Sequence, residues 1–344
     1  MRCMQNAWRP IWIVAACGAG LCLVSGAIGA GNEGPLDQDA IPTSRPPLYV
    51  VSMMHAEAHP VFMSNRHVLR THARGLRRLT RVFLDHGAKL AFQPDWTFVE
   101  GARKWDPGLF EWLLAQGMGV DSHTHGNQFT VEEVAEQIRD LVADPVDWRV
   151  RVGNGDFDRP RPRGMNFLWP FCQPWQDAVK PYLEAAVAYK NPATQDSDAA
   201  GIAWRPALFG DWHVHQPDTP IVYIGGGPLG PLRDDFTVLG QALEISRRHT
   251  RPGCINVLYW HDSLHQYSPP AVIEQRVEWW DEELTKTFDP LAAAGVIRWA
   301  TFSEMLDAYL ALEATPAFAL QPGELIEEID DPLDTPTTLA PLHP

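Results

Sequence analysis

Leu113-Leu-Ala-Gln-Gly-Met-Gly-Val-Asp-Ser-His-Thr-His-Gly126 reads as the end of one element, a reversal and the start of the next. The apolar residues before Gln116 close a helix, and Gly117 ends it, because glycine takes the positive φ of a helix C-terminal turn at little cost. Gly119-Val-Asp-Ser-His123 is then an extended run that delivers His123, and His125 just after it, to its far end. A helix that passes directly into a strand with polar groups at its C-terminal end is half of a βα unit, and the same alternation extends in both directions.

Toward the N-terminus, Leu48 to Met54 reads as a buried strand, about Val68 to His86 as a helix with a basic outer face, and Lys89 to Gln93 as a second strand. Asp106-Pro107 is expected to open the next helix, with Asp as N-cap and Pro at the first helical position. Beyond the quoted stretch, Thr130-Val-Glu-Glu133 has the form of a capping box opening a helix to about Val142. Strands are expected at Trp148 to Val152, Ile202 to Leu208, Ile221 to Ile224, Cys254 to His261 and Val296 to Thr301. Helices are expected at Pro174 to Tyr189, Asp235 to Arg248, Pro270 to Ala294 and Ser303 to Leu312. Such alternation implies an α/β fold: a (β/α) barrel with seven or eight mainly parallel strands, spanning residues 48–314.

The ends read differently. Arg2 and Arg9 precede an uncharged run from Ile11 to Ile28 that closes on small residues, so residues 1–30 have the pattern of a secretory signal peptide. An uncleaved anchor or a lipidated Cys17 are the alternatives, and all three imply export to a periplasmic or extracellular location, with membrane attachment only if the leader is retained or lipidated. Residues 31–47 suit a linker, and residues 315–344, acidic and rich in proline, a disordered tail. Cys172 and Cys254 are the cysteines outside the leader; they form one disulfide or two buried thiols.

With 28 Lys+Arg against 43 Asp+Glu the formal charge is −15, which repels phosphate backbones and makes nucleic acid a poor partner. The 14 Trp suit both a core and the faces of sugar rings.

Eight of the 13 histidines fall into pairs: His55/His59, His123/His125, His213/His215 and His261/His265. The first, second and fourth lie at or just past the C-terminal ends of expected strands, where α/β folds gather ligands and catalytic groups. Residues two apart on a strand share a face, so His123 and His125 point together with Asp121 behind them, and His55 shares parity with Glu57. Two imidazoles and a carboxylate, here His123, His125 and Glu57, make up a catalytic zinc set with an open fourth position. In the alternative, Met53, His55 and Glu57 continue a core face. His261, followed by Asp262, can protonate a leaving group. The Asp211-Trp-His-Val-His215 segment is either a second ligand group or a substrate loop and stays outside the metal set.

The order of these motifs resembles the polysaccharide deacetylases, the NodB-like family of the glycoside hydrolase/deacetylase barrels. Lys89 to Phe98 is similar to that family's second strand, Leu113 to Gly126 to its metal-binding His-Thr stretch, Asn256 to Asp262 to its late strand ending in His-Asp, and Gly295 to Glu304 to its closing strand. The resemblance covers about Leu48 to Leu312. Where the family has two aspartates this chain has Met54-His55-Ala56-Glu57, so Glu57 becomes the ligand and His55 takes the base's place. The family's second histidine falls here on Asn127, with His125 in its stead. The resemblance implies a divergent metal-dependent hydrolase that deacetylates a carbohydrate or cell-envelope glycan, with a divalent metal, zinc by its donors. It implies Glu57, His123 and His125 as ligands and His55 and His261 as catalytic groups; Asp95 on the second strand and Trp169 in a loop are the candidate substrate contacts. The alternatives are a glycosidase using carboxylates such as Glu57 and Asp95, and a non-catalytic envelope protein that binds sugar or metal.

Overall fold

The computed structural model describes residues 45–56, 60–125, 129, 131–142, 151–156, 183–188, 200–207, 213–226, 239–263 and 270–329, all within the compact unit Pro42–Pro344. The leader and nearly all of the linker lie outside the described residues. No helix among the described residues is long and apolar enough to cross a membrane.

The elements, in order, are β1 (Leu48–Ala56), α1 (Val61–Ser64), α2 (Arg66–Asp85), β2 (Leu90–Pro94), α3 (Trp96–Trp105), α4 (Leu109–Ala115), β3 (Gly119–Val120), β4 (Ser122–His125) and α5 (Val131–Arg139). Then come β5 (Val152–Asp156), β6 (Ala185–Ala188), β7 (Ala203–Trp204), β8 (Val222–Gly225), α6 (Leu239–Arg248) and β9 (Asn256–Ser263). The chain continues through α7 (Pro270–Glu283), a π-helical turn (Leu284–Phe288), α8 (Asp289–Ala293), β10 (Ile297–Trp299) and α9 (Phe302–Glu313).

β1 is the central stave. β9 runs parallel along one of its edges from Leu48↔Asn256 to His55↔Ser263. Its other edge is shared end to end: the amides of Leu48 and Ser52, on the same side of the strand, bond Val296 of the β10 approach and Lys89 of the β2 approach. β3 and β4 form one strand broken at Asp121, where pairing changes from β2 to β5. The circuit continues through β6 and β8 to β7, which is antiparallel to β8. Bonds from Ala203 N to Ile255 O (3.0 Å) and from Val257 N to Gly201 O (2.8 Å) return β7 to β9. The hydrogen-bonded circuit β9, β1, β2, β3–β4, β5, β6, β8, β7 thus closes on itself, in the (β/α) barrel expected.

Parity explains why the strands are apolar on both faces. Val51, Met53, Ala91, Val257 and Tyr259 fill the barrel, whereas Val50, Met54, Leu90, Phe92, Leu258 and Trp260 face the helices. Each of the larger of these side chains contributes roughly 1.5–3 kcal/mol by leaving water. α9 lies across the N-terminal end of the barrel: Phe302 packs on Tyr259 at 5.0 Å, and Asp307 and Glu313 bind Arg151 and Arg205.

Several expectations are corrected. Asp106 is not an N-cap; it follows the last residue of α3 and accepts two bonds from Arg77, while α4 begins after Gly108. Ala185–Ala188, expected at the end of a helix, is β6, because a stave covered on both faces rewards small apolar residues more than helix propensity does. The first part of the expected disordered tail is packed: Leu320 and Ile326 join the core around Trp204 and Tyr223, and Leu325 bridges to Val214. Cys254 is a buried free thiol, while Cys172 lies outside the described residues. Thr130, of the expected capping box, also lies outside them.

Candidate active site

The interior rows of β1, β2 and β9 change character at their C-terminal ends. On β1, Val51 and Met53 give way to His55; on β2, Ala91 to Gln93; on β9, Val257 and Tyr259 to His261. Along β3–β4 the corresponding positions are Asp121 and His123. Register brings these together, since His55 stands opposite Gln93 and Met53 opposite His261. The outcome is a cluster of three imidazoles at the mouth. The His55 ring centroid lies 4.4 Å from that of His123 and 4.1 Å from that of His261. All three are buried, with exposures of 0%, 2% and 6% for His55, His123 and His261.

Gln93 sets the state of His55. Its Oε1 accepts from His55 Nε2 at 2.8 Å, so in the neutral ring Nε2 carries the proton and Nδ1 is the basic nitrogen. Gln93 was missed as a site residue by sequence; its alternation with Ala91 on a strand bound for the mouth was the available signal.

Asp121 sits below the imidazoles with its amide bonded to Phe92 O at 2.9 Å. Burial pushes its carboxyl up from 3.8 to about 7, against weaker downward pulls from the Gln93 amide and the Arg151 charge. Asp121 and Arg151 line a cavity of about 240 Å³ between β3, β5 and the start of α9.

Asp95 is also buried, but much of its chemistry is local. Its Oδ1 accepts from Thr97 N (3.0 Å), Thr97 Oγ1 (2.7 Å) and Phe98 N (3.1 Å), making it the N-cap of α3. Asp262, buried, follows the parity of Leu258 and Trp260, opposite to that of His261. Of the expected ligands, His123 is placed in the cluster; Glu57 lies outside the described residues, and of His125 only the backbone is described, in register with Asp156. Trp169, His59 and His265 lie outside as well. Among the described residues no three His, Cys, Asp or Glu side chains are arranged to hold a metal ion. The described side chains therefore do not by themselves make up a ligand set.

His213 and His215 belong to the other end. Because β7 is antiparallel to β8, Arg205 and the Pro206↔His215 bridge fall beside the N-terminal end of β8. There burial lowers the pKa of both histidines, outweighing Glu328 at 3.3 Å from His213.

No family model and no curated protein sequence matches the chain. Solved structures do. One described as "putative glycoside hydrolase/deacetylase from parabacteroides distasonis" superimposes with a TM-score of 0.50 at 13% identity, over 79% of this chain and 72% of that one. The likeness is one of fold: a (β/α) barrel. A 4-alpha-glucanotransferase from Thermococcus litoralis shares this barrel at TM-score 0.50 and 12% identity, over 81% of this chain but 42% of its own. A "putative polysaccharide deacetylase from Mycobacterium smegmatis" aligns over 83% and 98% of the two chains at 11% identity and TM-score 0.46.

Proposed function

We propose that this protein is a hydrolase that removes acyl groups, acetyl first among them, from a carbohydrate of the cell envelope. The observation that carries the reading is the ring-on-ring convergence of His55, His123 and His261 at the barrel mouth. Acyl transfer to water needs a group to take a proton from the nucleophile and another to return one to the leaving oxygen or nitrogen. In this reading His55 is the base, acting through Nδ1 because Gln93 engages Nε2. His261 is the acid. Burial of both rings under the mouth shields the proton transfers from bulk water. Asp95 and Trp169 are the proposed substrate contacts.

A divalent metal, zinc by its donors, belongs to the proposal, with His123, His125 and Glu57 to hold it; when bound it supplies a Lewis acid for the acyl carbonyl. The test measures acetate released from acetylated chito-oligosaccharides together with the metal content of the purified protein. His261→Ala and His55→Ala are each expected to lower kcat by about 10²–10⁴, and His123→Ala to lose bound metal. Wild-type protein that releases no acetate and carries no stoichiometric metal would overturn the reading.

A second reading keeps the barrel and places glycosidic chemistry on carboxylates. It is favoured by Asp121, whose carboxyl, pushed up to about 7, can act as an acid. Activity on α-glucans that survives a chelator and disappears in Asp121→Asn would select it.

A further inference from the structure

α2 concentrates positive charge in a chain whose net charge is −15. Its 20 residues hold Arg66, Arg70, Arg74, Arg77, Arg78 and Arg81, and Asp85 is their only acid. Arg66, Arg70, Arg74 and Arg77 recur at steps of four, four and three, so they form one row about 16 Å long on the helix surface. The row, His67, Asp106 and Trp105, half-buried at the end of α3, line a shallow, open groove of about 710 Å³.

The guanidinium groups in this groove are unevenly neutralised. Arg77 is paired with Asp106, and Arg78, off the row, with Glu274. Arg70 donates to the Trp105 carbonyl, and Arg74 to the Arg70 carbonyl and the Thr71 hydroxyl. These neutral contacts hold the side chains in place and leave their charge uncompensated: among the described residues no acidic side chain pairs with Arg66, Arg70 or Arg74. Placement adds to the cost. The first turn of α2 has Arg66 and no acid, so a cation sits at the positive end of the helix dipole, which disfavours the helix. An arrangement that opposes folding in this way points to a ligand that supplies the missing negative charge.

We propose that this groove binds an acidic glycan strand, one bearing carboxylates on successive sugars. Guanidinium groups fork onto carboxylates, and an indole at the groove wall offers an apolar face to a sugar ring. The indole beside the row favours a sugar strand over a bilayer surface, whose phosphate headgroups offer no ring face to stack on it. The glycan chemistry rests on the carbohydrate reading above; the site is separate from the imidazole cluster and would hold substrate or its parent polymer without touching the reacting bond.

The experiment is calorimetric titration of the full chain with oligogalacturonate, with a neutral malto-oligosaccharide and phosphatidylglycerol vesicles as comparison arms, at low and moderate salt. Oligogalacturonate is expected to bind, to weaken as salt screens the row, and to lose at least tenfold in affinity in R66E/R70E/R74E. The uncharged R66Q/R70Q/R74Q set is expected to lose affinity as well, and replaces the Glu set if that one does not fold. Both variants should keep wild-type acetate release from a neutral acetylated oligosaccharide. Unchanged affinity in the variants, no binding of oligogalacturonate, or arginine-dependent binding of vesicles alone would each overturn the proposal. Arginine-dependent glycan binding by a protein that releases no acetate would support the groove while removing the hydrolase reading, so the two failures are distinguishable.

Discussion

Asp121 occupies the break between β3 and β4 with its carboxyl buried. Its folded pKa of about 7 stands above the ordinary 3.8, so the protonated form is the one the fold accommodates. Below pH 4 the acid is neutral in folded and unfolded chains alike and costs nothing. Between pH 4 and 7 the unfolded chain ionises first, and stability falls as pH rises. Above 7 the full penalty is present, on the order of 4 kcal/mol for a carboxyl moved from 3.8 to about 7. Asp121→Asn is therefore expected to stabilise the protein at pH 8 and to change it little at pH 4, as read from urea denaturation at the two values. A variant less stable than wild type at pH 8 would show that the carboxylate is instead compensated. The imidazole cluster was legible at this scale, because strand parity and chain order marked His55, His123 and His261. Gln93 was not, because its role depends on a register with β1 that one strand cannot reveal.

At the scale of the element, α3 illustrates how one residue is claimed by two roles. Asp95 was expected at the substrate, and it anchors the first turn of the helix. Asp95→Ala should cost about 1–2 kcal/mol and Asp95→Asn a few tenths at most, since both Asp and Asn cap well. Equal stability of Asp95→Ala and wild type in chemical denaturation, with a raised KM, would move the residue back to the substrate. Further along α3, Gly101 crosses α1 so closely that an added Cβ would lie 2.2 Å from the Phe62 carbonyl oxygen. Backbone cannot yield as a side chain can. Gly101→Ala is expected to destabilise by about 1–3 kcal/mol or more, measurable as a lowered urea midpoint; an unchanged midpoint would mean that α1 moves freely. The helices α2, α6 and α9 lie near their sequence-expected bounds because long apolar periods specify them, whereas the helix expected over Pro270–Ala294 is divided into α7, the π-helical turn and α8. β6 did not, since Ala-Ala-Val-Ala suits a helix until neighbouring staves claim it.

For the whole molecule, the segment after α9 returns to close part of the surface. Leu320 and Ile326 are buried, and Glu324 O accepts from His215 N at 2.8 Å. Ending the chain at Ala314 should remove on the order of 3–6 kcal/mol of apolar burial, seen as a lower Tm. Retention of the full-length Tm would show that the barrel is complete without it. The segment read as disordered because its composition is acidic and proline-rich, yet a few apolar residues at the right places suffice to hold it on a preformed surface.

What the amino-acid order determined by itself was local and periodic: alternating strands and helices, a barrel, and histidines at strand ends. Hydrophobic period and turn chemistry act over a few residues, so they are written in the chain. Tertiary structure alone decided which strand ends share a mouth, that β7 closes the circuit antiparallel, and that His213 and His215 stand at the opposite end from His55. Those outcomes depend on register and strand direction between segments far apart in sequence, where each pairing is chosen by the burial it completes.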